Sequence, residues 1–156
     1  MDRFGRETVM VMTISHQKVK VMKYVNFYNL KPGDKIVVPK SWMRIVQHHV
    51  IYLGQNHLGV HLIAENAVGL YVRVITVDQF FQENPEVTRI DRFAGDNVQR
   101  RLAIERALKK LGQPYDLINF NCEHFANYVQ KGILKSDQVG WGILLLGVLA
   151  IAAFAD

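Results

Sequence analysis

The sequence predicts an α+β fold in which an antiparallel sheet packs against helices. Short runs rich in β-branched residues occupy the first half of the chain, whereas apolar residues at helical spacing occupy the second half. A chain of 156 residues that is 49% hydrophobic is long enough for one domain with a single core.

Four strands are predicted in the first half. A turn at 30–34 leads into a strand at 35–39, which ends at a proline. Two β-rich runs at 44–53 and 60–63 flank a glycine-containing turn, which is typical of a hairpin. A further alternating run at 69–77 predicts another strand.

Two helices are predicted in the second half. Asp96 is a suitable N-cap for the first, which stops at 112–114, and Asn121 is a suitable N-cap for the second, which stops at Gly132. The apolar residues of the first helix are Val98, Leu102, Ile104, Leu108 and Leu111. Its other face is interpreted as a solvated surface that carries Arg100, Arg101, Arg106, Lys109 and Lys110.

The two ends of the chain differ in composition from the middle, and this difference sets the expected domain boundaries. Residues 1–29 mix charges with short apolar pieces, so they do not resemble a signal peptide and receive no role. Residues 30–138 are expected to form the folded domain. Residues 139–155 carry no charge and are nearly long enough, as a helix, to cross a bilayer. We therefore expect 139–156 to anchor the protein in a membrane with the domain facing the cytoplasm, a helix buried in the core or in a dimer being the alternative.

The chain is basic, with a formal net charge of +5. A basic balance attracts both nucleic acid and anionic lipid. The sequence has no block of Lys and Arg, no zinc-finger spacing and no aromatic RNA-binding signature, so nucleic acid is not an expected partner. It also lacks a Gly-rich phosphate loop and a second cysteine, so neither a cofactor nor a metal is expected.

The single cysteine, Cys122, is the residue that most strongly suggests chemistry. It can form no internal disulfide, so it is either an inert buried thiol or a nucleophile. After the N-cap Asn121 it would be the first helical residue, where unpaired N–H groups and the helix dipole stabilise a thiolate. A nucleophilic thiol needs a base, and His124 faces away because two helical residues lie about 200° apart.

The base must therefore come from another element, and strand alternation narrows the choice. If the hairpin turn has two or four residues, His48 and His61 share a face of the sheet and His49 points the other way. A register of the opposite parity pairs His49 with His61, and a bulge also changes the result. We favour His48 with His61, while a structural role on a strand is the alternative for each histidine.

These motifs together resemble the lecithin:retinol acyltransferase-like family of thiol acyltransferases and phospholipases. The stronger motifs are NCEHF at 121–125, HHVIYLG at 48–54 and GVHL at 59–62. The supporting motifs are KPGD at 31–34, Gly-x-x-Tyr-Asp-Leu at 112–117 and KSDQV at 135–139. The resemblance covers roughly residues 30–139.

The resemblance implies a circularly permuted papain-like fold and catalysis through a thioester. It places the nucleophile on Cys122, the general base on His48 and an orienting, polarising residue on His61. The implied activity is that of an acyltransferase or phospholipase A on glycerophospholipid acyl esters at a membrane surface. Two other functions stay open, namely a papain-like peptidase or amidase and a non-enzymatic, membrane-anchored regulatory protein with a relic site.

Overall fold

A computed structural model of the protein describes residues 24–40, 46–137 and 139–140. The strands are β1 (Lys35–Pro39), β2 (Gln47–Gln55), β3 (His61–Asn66), β4 (Val72–Thr76) and β5 (Arg89–Asp91). The helices are α1 (Val77–Glu83), α2 (Asn97–Leu108) and α3 (Cys122–Lys131). The strands form one antiparallel sheet in the order β4-β3-β2-β1-β5, which confirms the predicted α+β class.

The sheet separates two apolar clusters. Val50 and Ile63 belong to the cluster that includes Phe80 of α1, whereas Ile51 lies in the cluster that includes Phe125 of α3. Successive strand residues point to opposite faces, so adjacent residues of β2 enter different clusters. Strand β2 is therefore covered on both sides, and the side chains of its middle residues lie among apolar neighbours.

The β2–β3 hairpin differs from the predicted one in its turn. Gln55 pairs with His61, which leaves a longer turn at 56–60, and a bulge between Tyr52 and Gly54 shifts the register by one residue. Gly54 has a φ of 98°, and a Cβ added there would lie 3.0 Å from the ring of Pro32, so glycine is required at this bulge. The longer turn and the bulge cancel, and His61 ends on the predicted face.

Helix α2 has the predicted N-cap, but a different face of the helix meets the core. The side chain of Asp96 accepts a hydrogen bond from the backbone N–H of Gln99, and the side chain of Gln99 closes the capping box. The buried residues are Ala103 and Ala107, which allow a close approach to α3 because they are small. Four of the aliphatic residues predicted to face the core are exposed, namely Val98, Leu102, Leu108 and Leu111.

The prediction that solvent surrounds the basic face of α2 is wrong for two arginines. Arg100 donates hydrogen bonds to Asp34 and to the carbonyl oxygen of Phe93. Arg106 donates through Nε and Nη2 to the carbonyl oxygen of Val129 in α3. These guanidinium groups have partners inside the protein, which is why they turn away from solvent.

Asp34 is a fully buried carboxylate that joins three segments of the chain. Its Oδ1 accepts hydrogen bonds from Arg100 and from the backbone N–H of Phe93. Its Oδ2 accepts from Arg92 and from the backbone N–H of Lys31. Burial by itself raises the pKa of Asp34, but these donors outweigh burial and hold the pKa below its ordinary value of 3.8.

The structure contradicts the predicted membrane anchor at 139–156 and the membrane localisation that depended on it. Helix α3 ends at Lys131, after which Gly132 has a φ of 74° and the charged residues Lys135 and Asp137 follow. Within 24–40, 46–137 and 139–140, no helix is both long enough and apolar enough to cross a membrane. Most of that segment, 141–156, and most of the 1–29 extension lie outside the described residues.

Substituting Asp34→Asn is expected to lower the free energy of unfolding by about 2 to 4 kcal/mol, because a buried ion pair then loses its anion. The value lies below that of fully buried pairs because the side chain of Arg92 is 49% exposed. Urea unfolding followed by circular dichroism measures the difference.

Asp137→Asn is the matched control, since that carboxylate is 69% exposed and 3.5 Å from Lys135 Nζ. The contribution of Asp34 is complete above pH 3.8 and is lost as the pH falls through its lower folded-state pKa. The difference between native protein and Asp34→Asn should therefore shrink in acid. An equal loss in the control, or a difference that acid leaves unchanged, would contradict this prediction.

Candidate active site

Cys122 is the first residue of α3, and the helix begins with a complete cap. Asn121 Oδ1 accepts hydrogen bonds from the backbone N–H groups of Glu123 and His124, each at 3.0 Å. His124 Nδ1 accepts in return from the backbone N–H of Asn121 at 3.4 Å. His124 is therefore part of the cap and does not serve the thiol.

The thiol of Cys122 lies where the N-terminus of α3 meets the start of β2. Its Sγ donates to the carbonyl oxygen of Gln47 at 3.8 Å, and the thiol is near enough to His48 to help raise the pKa of that imidazole. Cys122 and His48 both line a cavity of about 370 Å³. The structure therefore brings the predicted nucleophile and the predicted base together at the wall of one cavity.

A cavity of about 430 Å³ lies elsewhere, between the segment at 92–95 and helices α2 and α3. Arg92 and Arg106 line it, but both guanidinium groups donate to oxygen atoms of the protein. No cysteine or histidine lines this cavity. The smaller cavity is the candidate active site because it holds the thiol.

The imidazole of His48 is also hydrogen-bonded to a buried carboxylate. His48 Nε2 lies 2.8 Å from Glu65 Oε2. The other carboxylate oxygen, Oε1, accepts from Arg73 Nε at 2.8 Å and lies 2.7 Å from Arg73 Nη2. Since Nε2 is engaged by Glu65, Nδ1 is the ring nitrogen that remains for the thiol of Cys122.

Charges and burial shift the pKa values of His48 and Glu65 in opposite directions. Burial alone lowers the pKa of His48, but the hydrogen bonds and charges of Cys122 and Glu65 prevail and raise the pKa above 6.5. Burial alone raises the pKa of Glu65, but His48 and Arg73 prevail and hold the pKa below 4.5. Near neutral pH the arrangement therefore favours an ionised carboxylate that faces a protonatable imidazole.

His61 shares the face of His48 but is not brought to it. His61 Nδ1 is hydrogen-bonded to the hydroxyl of Tyr52, and Nε2 lies 2.8 Å from Gln55 Nε2. Its strand partner Gln55 ends β2, whereas His48 lies near the start, a separation of roughly 20 Å at about 3.3 Å per residue. The expected contact between His61 and the base is therefore absent from the described structure, and Glu65 is the partner of His48.

His49 points to the opposite face, as strand alternation predicts. It pairs with Val37 and is 1% exposed. Burial, together with the nearby charge of Lys35, lowers the pKa of His49 to about 4. An imidazole with this pKa stays neutral near pH 7 and is a weak base.

Sequence reasoning missed three residues that line the cavity: Glu65, Arg73 and Tyr115. The available signal for Glu65 was its position two residues after the predicted strand run at 60–63, where it is the first charged residue after that run. Tyr115 lies in the motif at 112–117 but received no role. Burial, together with the nearby Cys122, raises the pKa of Tyr115 to about 12, so its hydroxyl stays protonated and can donate a hydrogen bond.

The sequence motifs agree with what is found among known proteins. The sequence model of the family described as lecithin retinol acyltransferase matches residues 28–135. The chain belongs to this family. Its membership confirms the resemblance that the motifs carry.

Several relatives share its sequence to different extents. Human Phospholipase A and acyltransferase 2 is 43% identical over 49 residues, a match that spans 30% of either chain. Mouse Phospholipase A and acyltransferase 3 is 27% identical over 142 residues, which are 80% of this chain and 85% of the relative. The human protein of the latter name is 29% identical over 126 residues, 70% of this chain and 75% of the relative.

The two neighbouring histidines should titrate at different pH. We expect His49 to titrate at about pH 4 because of burial, and His48 to titrate above 6.5 because Cys122 and Glu65 favour its charged form. Ring carbon–proton NMR shifts followed against pH measure both, and a His49→Gln variant assigns the signals. A His49 signal that titrates near 6.5 would contradict the expectation.

Proposed function

We propose that this protein is a cysteine-dependent acyltransferase and phospholipase A that acts on the acyl esters of glycerophospholipids. The observation that carries the proposal is that Cys122, at the N-terminus of α3, and His48 line the wall of one cavity, where the thiol helps to raise the pKa of the imidazole. Family membership supports an acyltransferase or phospholipase enzyme, and the names of the relatives combine both activities.

In the proposed reaction His48 takes the proton of Cys122, and the thiolate attacks the carbonyl carbon of the ester. The carbon–oxygen bond to the glycerol breaks, and the imidazolium gives its proton to the departing alkoxide. The acyl group then remains on sulfur as a thioester. A water molecule, amine or alcohol, deprotonated by His48, attacks this thioester and restores the thiol.

Two donors are placed to stabilise the oxyanion of the tetrahedral intermediates. The cap of Asn121 engages the amides of Glu123 and His124, so the amide of Cys122 is the one in the first turn that the cap leaves for substrate. The protonated hydroxyl of Tyr115 lines the same cavity. Donors fixed in advance at a helix N-terminus stabilise developing negative charge because they need not reorganise.

The proposal also includes a circularly permuted papain-like arrangement and a lipid surface as the place of action. The strand with His48 precedes the helix with Cys122 in the chain, which supports the permuted order. A glycerophospholipid substrate resides in a bilayer, so the active site must meet the membrane surface. A membrane anchor is not part of the proposal.

Cys122→Ser is expected to abolish the thioester intermediate while the protein keeps its fold, because a serine hydroxyl is a far weaker nucleophile than a thiolate. Incubation of native protein with phospholipid vesicles should add an acyl mass to the peptide that contains Cys122, and hydroxylamine should remove it. Lipid hydrolysis by Cys122→Ser at the native rate would overturn the proposed function. Cleavage of peptides without an acyl adduct would favour a peptidase or amidase instead.

His48→Gln should lower kcat about 10²- to 10⁴-fold, the usual contribution of general acid–base catalysis. Release of fatty acid from vesicles measures the rate. The matched control is His57→Gln, since His57 is an exposed residue of the hairpin turn and does not line the cavity. A similar loss in both variants, or no loss in His48→Gln, would count against His48 as the base.

A further inference from the structure

We propose that Glu65, held by Arg73, positions the base His48 in this chain and takes the place that the family resemblance gives to His61. The inference rests on the proposed function, because positioning has a consequence only if His48 acts as the base. Glu65 is a positioning residue that acts through His48.

The contact between Glu65 and His48 is buried on both sides. The side chain of His48 is 5% exposed and that of Glu65 is 6% exposed. A buried carboxylate is costly unless both of its oxygens have partners, and here His48 contacts Oε2 while Arg73 contacts Oε1. The two strong contacts therefore fix the carboxylate in one orientation.

The ionised carboxylate determines the tautomer of the imidazole. A carboxylate only accepts hydrogen bonds, so Nε2 of His48 must carry the proton that faces Glu65. Nδ1 then has a lone pair and can accept the proton of Cys122. When this transfer produces an imidazolium, the negative charge of Glu65 stabilises it.

Arg73 completes the arrangement from the neighbouring strand. Glu65 is the direct strand partner of Arg73 across β3 and β4, and it pairs with Val50 across β2 and β3. His48, Glu65 and Arg73 therefore lie side by side on three adjacent strands. Cross-strand neighbours on one face are close enough for such contacts without distortion of the backbone.

His61 cannot take this role in the observed geometry. Both of its ring nitrogens are engaged, by the side chains of Tyr52 and Gln55. These two partners belong to the distal part of β2, beside the bulge and the turn. His61 therefore stabilises the end of the hairpin that lies away from Cys122.

The first test measures the titration of His48 by NMR in a Cys122→Ala background, so that neither catalysis nor the thiol contributes. Glu65→Gln should lower the pKa of His48 by about one to two units, the effect of losing a close opposite charge. Arg73→Gln should raise the pKa of His48, because removal of the cation strengthens the interaction between the imidazolium and Glu65. His61→Gln is the matched control and should leave it unchanged.

The second test measures kinetics with Cys122 intact. Glu65→Gln should lower kcat about 10²- to 10⁴-fold, because the base loses its tautomer and orientation, while KM changes little. Arg73→Gln should give a smaller loss, and it serves as the second variant if Glu65→Gln unfolds. His61→Gln should lower kcat less than either variant.

Opposite pKa shifts in the Glu65 and Arg73 variants, together with the loss of kcat, would support the proposal. An unchanged His48 pKa in Glu65→Gln, or a kcat loss in His61→Gln that equals that of Glu65→Gln, would overturn it. Activity in Cys122→Ala would instead overturn the proposed function, and the NMR result would still report whether Glu65 controls the imidazole.

Discussion

The buried carboxylate of Asp34 is the interaction on which the position of the active-site helix depends. Asp34 fastens α2 to the turn before β1 through Arg100, and it holds the segment before α2 through Arg92. Helix α2 then packs its small residue Ala103 into the cluster that contains α3. Helix α3 in turn presents Cys122 to the start of β2. The ionic contact of Asp34 therefore contributes to the position of the thiol, although Asp34 does not line the cavity that contains Cys122.

Local rules were sufficient for part of the fold. The strand at 35–39 and the N-caps Asp96 and Asn121 follow from short stretches of sequence. Helix α1 was missed because its first residue continues a β-branched run from β4, and the three-residue β5 exists only as an edge partner of β1. The inner face of α2 was assigned wrongly because periodicity of large apolar residues does not reveal a face of alanines and paired arginines.

The residues of the candidate site also divide into those that local sequence predicts and those that depend on how the strands pair. Cys122 and His48 could be proposed from a helix start and from strand alternation, which are both local. The side chain that orients His48 depends on which residues lie opposite each other across the sheet. To predict that pairing from the sequence, both the length of the turn between β2 and β3 and the bulge must be known. Glu65 is visible only after the pairing of β2 with β3 is known, because it lies far from His48 in sequence and next to it in space.

The longer turn and the Gly54 bulge lie at the end of the hairpin that is far from His48, so the turn can change in length while the pairing near His48 stays the same. On β3 His61 lies four residues before Glu65, so residues added to the turn at 56–60 change neither the spacing of these two residues nor the contact between Glu65 and His48. The number of residues between His48 and His61 depends on the length of the turn. The hydrogen bond between Glu65 and His48 depends instead on the pairing of Val50 with Glu65. The pairing of β2 with β3 therefore decides which side chain of β3 contacts the imidazole of His48, and in this chain that side chain carries a carboxylate.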